Sequence, residues 1–500
     1  MGVIADNGKP EQRKRRLRSS TKLPDPPSGE QPYAKSREEL KGVTSEEIVL
    51  WVMTTAEWAQ AMKPVLDAVD LERAERRSGR SGRRPSYSAE DIERALLFGK
   101  VSGYRTYKKT HLKLCADRTA REALGFTKSN PNLATRYENG VPSPATVSRH
   151  LRRFGHERRG GAWDKLARML RDFHVSNFPE MQEEIRVSNV DGSRLRSRYT
   201  TPIINPVTGE IVNADAVQCP TGGYMPWSAG EKKYGKGWKH LPFASHTGVP
   251  WAWPELPPKI HEGEPTCAVQ LALGDAKAVI ELIPDRKLGI VTADTGFCSP
   301  EFRASLRELG FAENIHQVSH KIQSQERAEE FRKQKIAIDG YPNWFADGHR
   351  QLFCACGDGY TFGRFDMAKT GRSILRVEGS CKTCGSITIT SGDWRLAGNP
   401  KRFTPIDPTN PDDEPDYLFG NPLTFDDPRS KAFGDRRFGH NEGLFGTLWK
   451  RFRLGEPRWY RTIYQAQAEL GMIYSIIHVA AMEQRRRKQA LALAAPPPSP

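Results

Sequence analysis

The chain has 500 residues, with 76 Lys and Arg against 60 Asp and Glu, a formal net charge of +16 and a pI near 9.4. That length exceeds one ordinary hydrophobic core and predicts several domains, and the positive balance makes nucleic acid the first partner to consider. No apolar run approaches the roughly 18 residues of a membrane span, and the stretch MGVIADNGKPEQRKRRLR lacks a signal-peptide core. A soluble, cytoplasmic protein without a membrane partner is therefore expected.

Residues 1–44 are polar, Pro-rich and basic, with the run Arg13-Lys14-Arg15-Arg16-Leu17-Arg18. Such a segment cannot bury enough surface to order itself; it reads as a disordered arm that either touches phosphates or solubilises the chain. Residues 45–180 read as a helical domain. EEIVLWVMTTAEW carries helical apolar spacing, SGRSGRRPS (78–86) is a basic linker, and SAEDIERALLFGKVSG begins a helix at Ser88. PSPATVSRHLRRFG (142–155) is a short helix with Pro144 and Thr146 at its start and Arg149, His150, Arg152 and Arg153 along it. It fits either a DNA-recognition helix or a plain surface helix.

Residues 181–349 change period and read as the first part of an α/β core. IRVSNVDGSRL is a strand ending in Asp191, PVTGEIV (206–212) a hairpin turn, and CAVQLAL (267–273) another strand. LGIVTADTGFCSPEFRASLRELGF (288–311) supplies a buried strand, an acid at its end, a helix starting at Ser299-Pro300 and a closing Gly310. ENIHQVSH (313–320) is the next expected strand, and KIQSQERAEEFRKQK (321–335) a charged helix. Residues 350–392 turn to short strands around cysteines, 393–434 to a Pro/Asp-rich, loop-like connection, 435–489 to closing helices and 490–500 to a disordered tail.

Of eight cysteines, Cys354, Cys356, Cys381 and Cys384 cluster, while Cys115, Cys219, Cys267 and Cys298 are scattered. Two close pairs on separate knuckles can set four thiolates around one tetrahedral Zn²⁺ within a small ribbon. Four thiolates leave no open coordination position, so the implied role is structural. The bland alternative is four reduced cysteines without metal.

Asp191 and Asp294 each end a predicted strand, where a carboxylate costs desolvation unless a cation or a turn compensates it. Asp215, Asp275, Asp435 and Glu469 compete for the same role. GHNEGLFGTLWKRF (439–452) combines helical apolar spacing at Leu444, Phe445, Leu448 and Trp449 with a single acid, Glu442. In GGYMPWSAGEKKYGKGWKHLPF (222–243), Lys232, Lys233, Lys236 and Lys239 interleave with Tyr234 and Trp238. That stretch suits either a DNA-holding segment or a solvated loop.

Taken in order, VDGS with Asp191, TADTGFCSPEFRASLRELGF with Asp294, and HNEGLFGTLWKRF with Glu442 and the later Lys450 resemble bacterial insertion-sequence DDE transposases. The resemblance implies an α/β fold: an RNase H-like mixed sheet flanked by helices, a helical amino-terminal DNA-binding domain and a small zinc-ribbon insertion. It implies two Mg²⁺ (or Mn²⁺) ions held by Asp191, Asp294 and Glu442, for cleavage at transposon ends and strand transfer. Lys450, Arg451 and Arg453, with Arg149, Arg152 and Arg153, would hold double-stranded DNA, both terminal inverted repeats and target. A nucleoid-associated homo-oligomer is the expected working form. The long separation of Asp294 from Glu442 departs from a simple core and calls for an insertion, which the cysteine ribbon can fill. Two rival readings are a non-catalytic DNA-binding protein, as a regulator or decayed transposase, and a metal-dependent nuclease that does not join ends.

Overall fold

The computed structural model describes residues 49–55, 87, 89–104, 106–126, 140–153, 157–196, 207–208, 223–226, 234–254, 265–284, 287–293, 297, 300–315, 333–348, 350–367, 373–390, 392–413, 429–430, 432–434, 452 and 462–494. The chain is mixed α/β and divides into two compact units. One comprises Pro26–Val279, Thr292–Phe297 and Lys431–Pro500; the other comprises Met1–Asp25, Ile280–Val291 and Cys298–Ser430.

The first unit opens with helices α1 (Ala89–Val101), α2 (Tyr107–Ala116), α3 (Arg118–Ala123), α4 (Pro144–Arg153), α5 (Glu157–Asn177) and α6 (Pro179–Ile185). Local chemistry sets their ends. Thr106 caps α2 by accepting from the Lys109 N–H, and Asp117 caps α3 by accepting from the Ala120 N–H at 3.0 Å. Ser143 Oγ accepts from the Thr146 N–H at 3.2 Å, which fixes the start of α4.

Strands β1 (Val187–Val190), β2 (Ser193–Arg196), β3 (Gly223–Pro226), β4 (Tyr234–His240), β5 (Phe243–Ser245) and β6 (Pro250–Ala252) follow. β1 is buried along its whole length and pairs antiparallel with β5, Val190 opposite Phe243. A separate three-stranded sheet has the order β2-β4-β3. CAVQLAL, expected as a strand, is instead part of helix α7 (Pro265–Glu281). The longer frame explains this: Ala272, Leu273, Ala276, Val279 and Ile280 are buried at helical spacing, so the period emerges only beyond residue 273.

The next strand, β7 (Gly289–Ala293), is fully buried, and the boundary between the units falls within it. Helix α8 (Pro300–Glu308) starts on a proline, as expected, and gives way to Gly310 at φ +78° and strand β8 (Phe311–Asn314). These strands form a five-stranded sheet of order β6-β5-β1-β7-β8. β8 begins two residues earlier than ENIHQVSH and is also fully buried.

The second unit continues with β9 (Ile336–Ile338), β10 (Tyr341–Ala346), β11 (Leu352–Cys354), β12 (Tyr360–Met367), β13 (Ser373–Cys381), β14 (Gly385–Thr390), β15 (Trp394–Leu396) and β16 (Arg402–Pro405). They make one sheet of order β11-β10-β9-β16-β15 and another of order β12-β13-β14. The stretch read as a loop thus carries two strands, β15 and β16, and β16 pairs in parallel with β9. Ile338, Trp344, Cys354, Cys381, Ile387, Trp394 and Phe403 share one core.

Helix α9 (Ile463–Ala494) closes the first unit; its 32 residues span about 48 Å. It packs on α5 at Gly471, where a Cβ would collide with the Trp163 carbonyl and come within 2.6 Å of the Asp164 nitrogen.

Candidate functional site

The four clustered cysteines converge as the spacing predicted. Their Sγ atoms all lie within 4.8 Å of one another. Cys356 is 3.4 Å from Cys354, 3.3 Å from Cys381 and 3.5 Å from Cys384. A tetrahedral Zn–S bond of about 2.3 Å requires sulfurs about 3.8 Å apart, so a small expansion of this cluster accepts a metal such as zinc. Cys354 and Cys381 are buried and Cys356 is exposed, which places the cluster at the rim of the core.

Glycines build both knuckles. Gly357 and Gly385 each follow the second cysteine of a pair, at φ +83° and +80°, where a side chain would be strained. Gly359 donates its N–H to Cys354 Sγ at 3.0 Å, and a Cβ there would meet that sulfur at 2.8 Å. Sequence reasoning passed over these glycines, although Cys-Ala-Cys-Gly and Cys-Lys-Thr-Cys-Gly carry the signal. The Cys384 N–H, then the Cys356 thiol, lower Cys381 to about 7. At Cys356 the Asp358 N–H pulls downward, but the Cys381, Cys354 and Cys384 thiols outweigh it and leave the group at about 12. The opposite shifts describe one pool of protons shared by touching sulfurs, which a bound cation would displace.

Asp191 directly follows β1 and is half-buried; its carboxylate accepts from the Gly192 N–H at 2.7 Å. β1 and β7 are neighbours in the five-stranded sheet, and Asp294 follows β7 in the sequence. Asp294, Glu442, Lys450, Arg451 and Arg453 all lie outside the described residues.

Two competing acids have other partners. Asp275 belongs to α7, where Arg168 and Arg171 each pair with it at 2.6 Å, and Glu469 of α9 pairs with Lys100. Asp215 and Asp435 are not among the described residues.

On α4, Val147 and His150 face inward while Arg149 and Arg152 are exposed. Arg153 is the last residue of that helix. Tyr107 and His111 of α2 bond the Pro142 carbonyl at 2.9 and 3.1 Å, tying α2 to the start of α4. Lys108, Lys109 and Lys113 on α2 are exposed as well.

Trp238 does not belong to a DNA-holding face. It is 1 % exposed, its ring turned into the core from β4. Lys232 and Lys233 lie outside the described residues.

Sequence reasoning also missed a buried polar network in the first unit. His174 and His478 meet through their Nδ1 atoms at 3.1 Å, and Arg485 reaches His174 Nε2 and Glu184, each at 2.6 Å. Nearby, His240 of β4 hydrogen-bonds Tyr474 of α9, and Trp253 packs against Tyr474 with Arg168 and Arg171 of α5 over its ring. Burial, followed by the charge of Arg168, lowers His240 to about 3. Burial, followed by Arg171 and Arg485, lowers His478 to about 3 as well. These neutral imidazoles tie strand β4 and helix α5 to helix α9; no local pattern flags them.

No family model matches the chain, and no curated protein or solved structure is significantly similar to it.

Proposed function

We propose that the chain is a DDE-type DNA transposase that cuts DNA at transposon ends and joins the freed 3′ ends to target DNA. The observation that carries this reading is the adjacency of β1 and β7, the strands that Asp191 and Asp294 follow. Adjacent strands are about 4.8 Å apart, so carboxylates that follow two such strands can share a cation when the strands run parallel. The mixed sheet, with its antiparallel β1-β5-β6 part and helices α7 and α8 between later strands, is compatible with the RNase H-like core that the resemblance implies.

In this reading Asp191, Asp294 and Glu442 hold two Mg²⁺ or Mn²⁺ ions. Bound divalent cations supply an activated water or 3′-hydroxyl and stabilise the leaving oxygen of an in-line displacement. The half-exposed carboxylate of Asp191 suits a hard cation, and the N–H of Gly192 orients one of its oxygens. Arg149 and Arg152 on α4, with the lysines of α2, provide a cationic face for phosphates. Lys450, Arg451 and Arg453 hold the transposon end beside Glu442, and the working form is a homo-oligomer that pairs two ends. The cysteine cluster takes Zn²⁺ as a structural ion.

A strand-transfer assay with a pre-cleaved end bearing a free 3′-hydroxyl tests the joining half of the reaction. Joined product is expected in Mg²⁺. Cutting of intact ends without any joining would identify a nuclease instead.

A further inference from the structure

The sheet β11-β10-β9-β16-β15 buries one face, while on the other Phe345 and Phe353 are half-buried and Ala337 and Arg402 are exposed. Trp344, Ala346, Ile338 and Phe403 occupy the buried face. Because side chains alternate along a strand, their neighbours point the opposite way. The pairing registers align four of these neighbours in one row across four strands. Phe353 lies opposite Phe345, Phe345 opposite Ala337, and Ala337 opposite Arg402.

The row has a distinct chemistry. The Phe345 and Phe353 rings are stacked, with centroids 5.9 Å apart and planes 29° from parallel. Lys335 Nζ sits 5.6 Å from the Phe345 ring centre. Ala337 is exposed and leaves the middle of the row low, and the Arg402 side chain is 58 % exposed at the far end. Lys333 and Lys401 are exposed nearby, the latter adjoining Ala337 through a backbone hydrogen bond of 2.9 Å. Asp339, paired with Arg402, is the one acid bonded to this cationic group among the described residues.

We propose that this face binds single-stranded DNA. Aromatic rings on an open sheet stack on unpaired bases, and flanking cations follow the phosphates. Four strands span about 14 Å, enough for a short run of nucleotides. A duplex already stacks its bases internally and would leave the two phenylalanines unused, so charge and ring geometry together favour an unpaired strand. The inference rests on the transposase reading for the source of that strand, the one displaced when an end is opened and cut.

The test uses the full chain, loaded with zinc, and a labelled oligothymidine of about twelve nucleotides. Phe345→Ala combined with Phe353→Ala should weaken its binding about tenfold or more while duplex binding holds. Lys335→Ala with Arg402→Ala replaces exposed side chains, so the fold should persist, and it should make the salt dependence shallower. Unaltered near-ultraviolet circular dichroism and zinc content check the fold of each variant. The proposal is overturned if the wild type does not hold the oligothymidine, if both folded variants bind it like wild type, or if duplex and single-strand binding fall together. Failure here leaves the transposase reading standing, whereas absence of metal-dependent cutting removes that reading without touching this binding measurement.

Discussion

The sulfurs of Cys356 and Cys381, from two knuckles far apart in sequence, lie 3.3 Å apart. Cys381 also belongs to the core that holds Trp344 and Trp394, so a metal there would fasten both sheets of its unit. One zinc per chain is expected by elemental analysis. Cys381→Ser should abolish it and erase the near-ultraviolet signal of the packed tryptophans. Protein purified without chelators that carries no zinc, yet keeps that signal, would contradict the assignment.

The buried histidines predict acid sensitivity. His240 and His478 stay neutral in the fold down to about pH 3, whereas an unfolded histidine takes up a proton near 6.5. Their folded values are depressed, so the unfolded state binds more protons between those limits. Stability is therefore full above about pH 7 and falls as the pH drops through 6.5, by about 2 kcal/mol per histidine at pH 5. Urea midpoints at pH 7.5 and pH 5 measure this, and His478→Asn should reduce the difference between them. An unchanged pH slope in that variant would place the acid sensitivity elsewhere.

Two helical glycines should respond oppositely to alanine. At Gly471 a Cβ meets the main chain of Trp163 and Asp164, which cannot swing aside as a side chain can. Gly471→Ala should cost about 2–3 kcal/mol. Gly274 in α7 has open space around it, so Gly274→Ala should stabilise by about 0.5–1 kcal/mol through helix propensity alone. Thermal melts of the pair check both signs.

These positions also show what the sequence made legible. Strands β1 and β7 could be read because a valine-flanked segment, VSNV, and a largely apolar one, GIVTA, each run into an acid, and the cysteines because their spacing is itself the geometry of a metal knuckle. CAVQLAL misled because a seven-residue segment with six apolar side chains fits a buried strand as well as a helix; only Ala276, Val279 and Ile280 reveal the helical period. The parallel pairing of β9 with β16, Ile338 opposite Phe403, leaves no local trace, since its partners come from distant segments. Trp238 looked like a base-stacking ring because composition reports an aromatic among lysines but not which side of the strand it occupies.

The central proposal, metal-dependent cutting by three acids, is tested most directly by DNA cleavage on the sequences that flank the coding region. Wild type, Asp191→Asn, Asp294→Asn and Glu442→Gln would be compared in Mg²⁺, with end binding measured in parallel. Each substitution is expected to abolish cleavage and leave binding of the ends nearly intact. Normal cutting by any of the three would contradict the account.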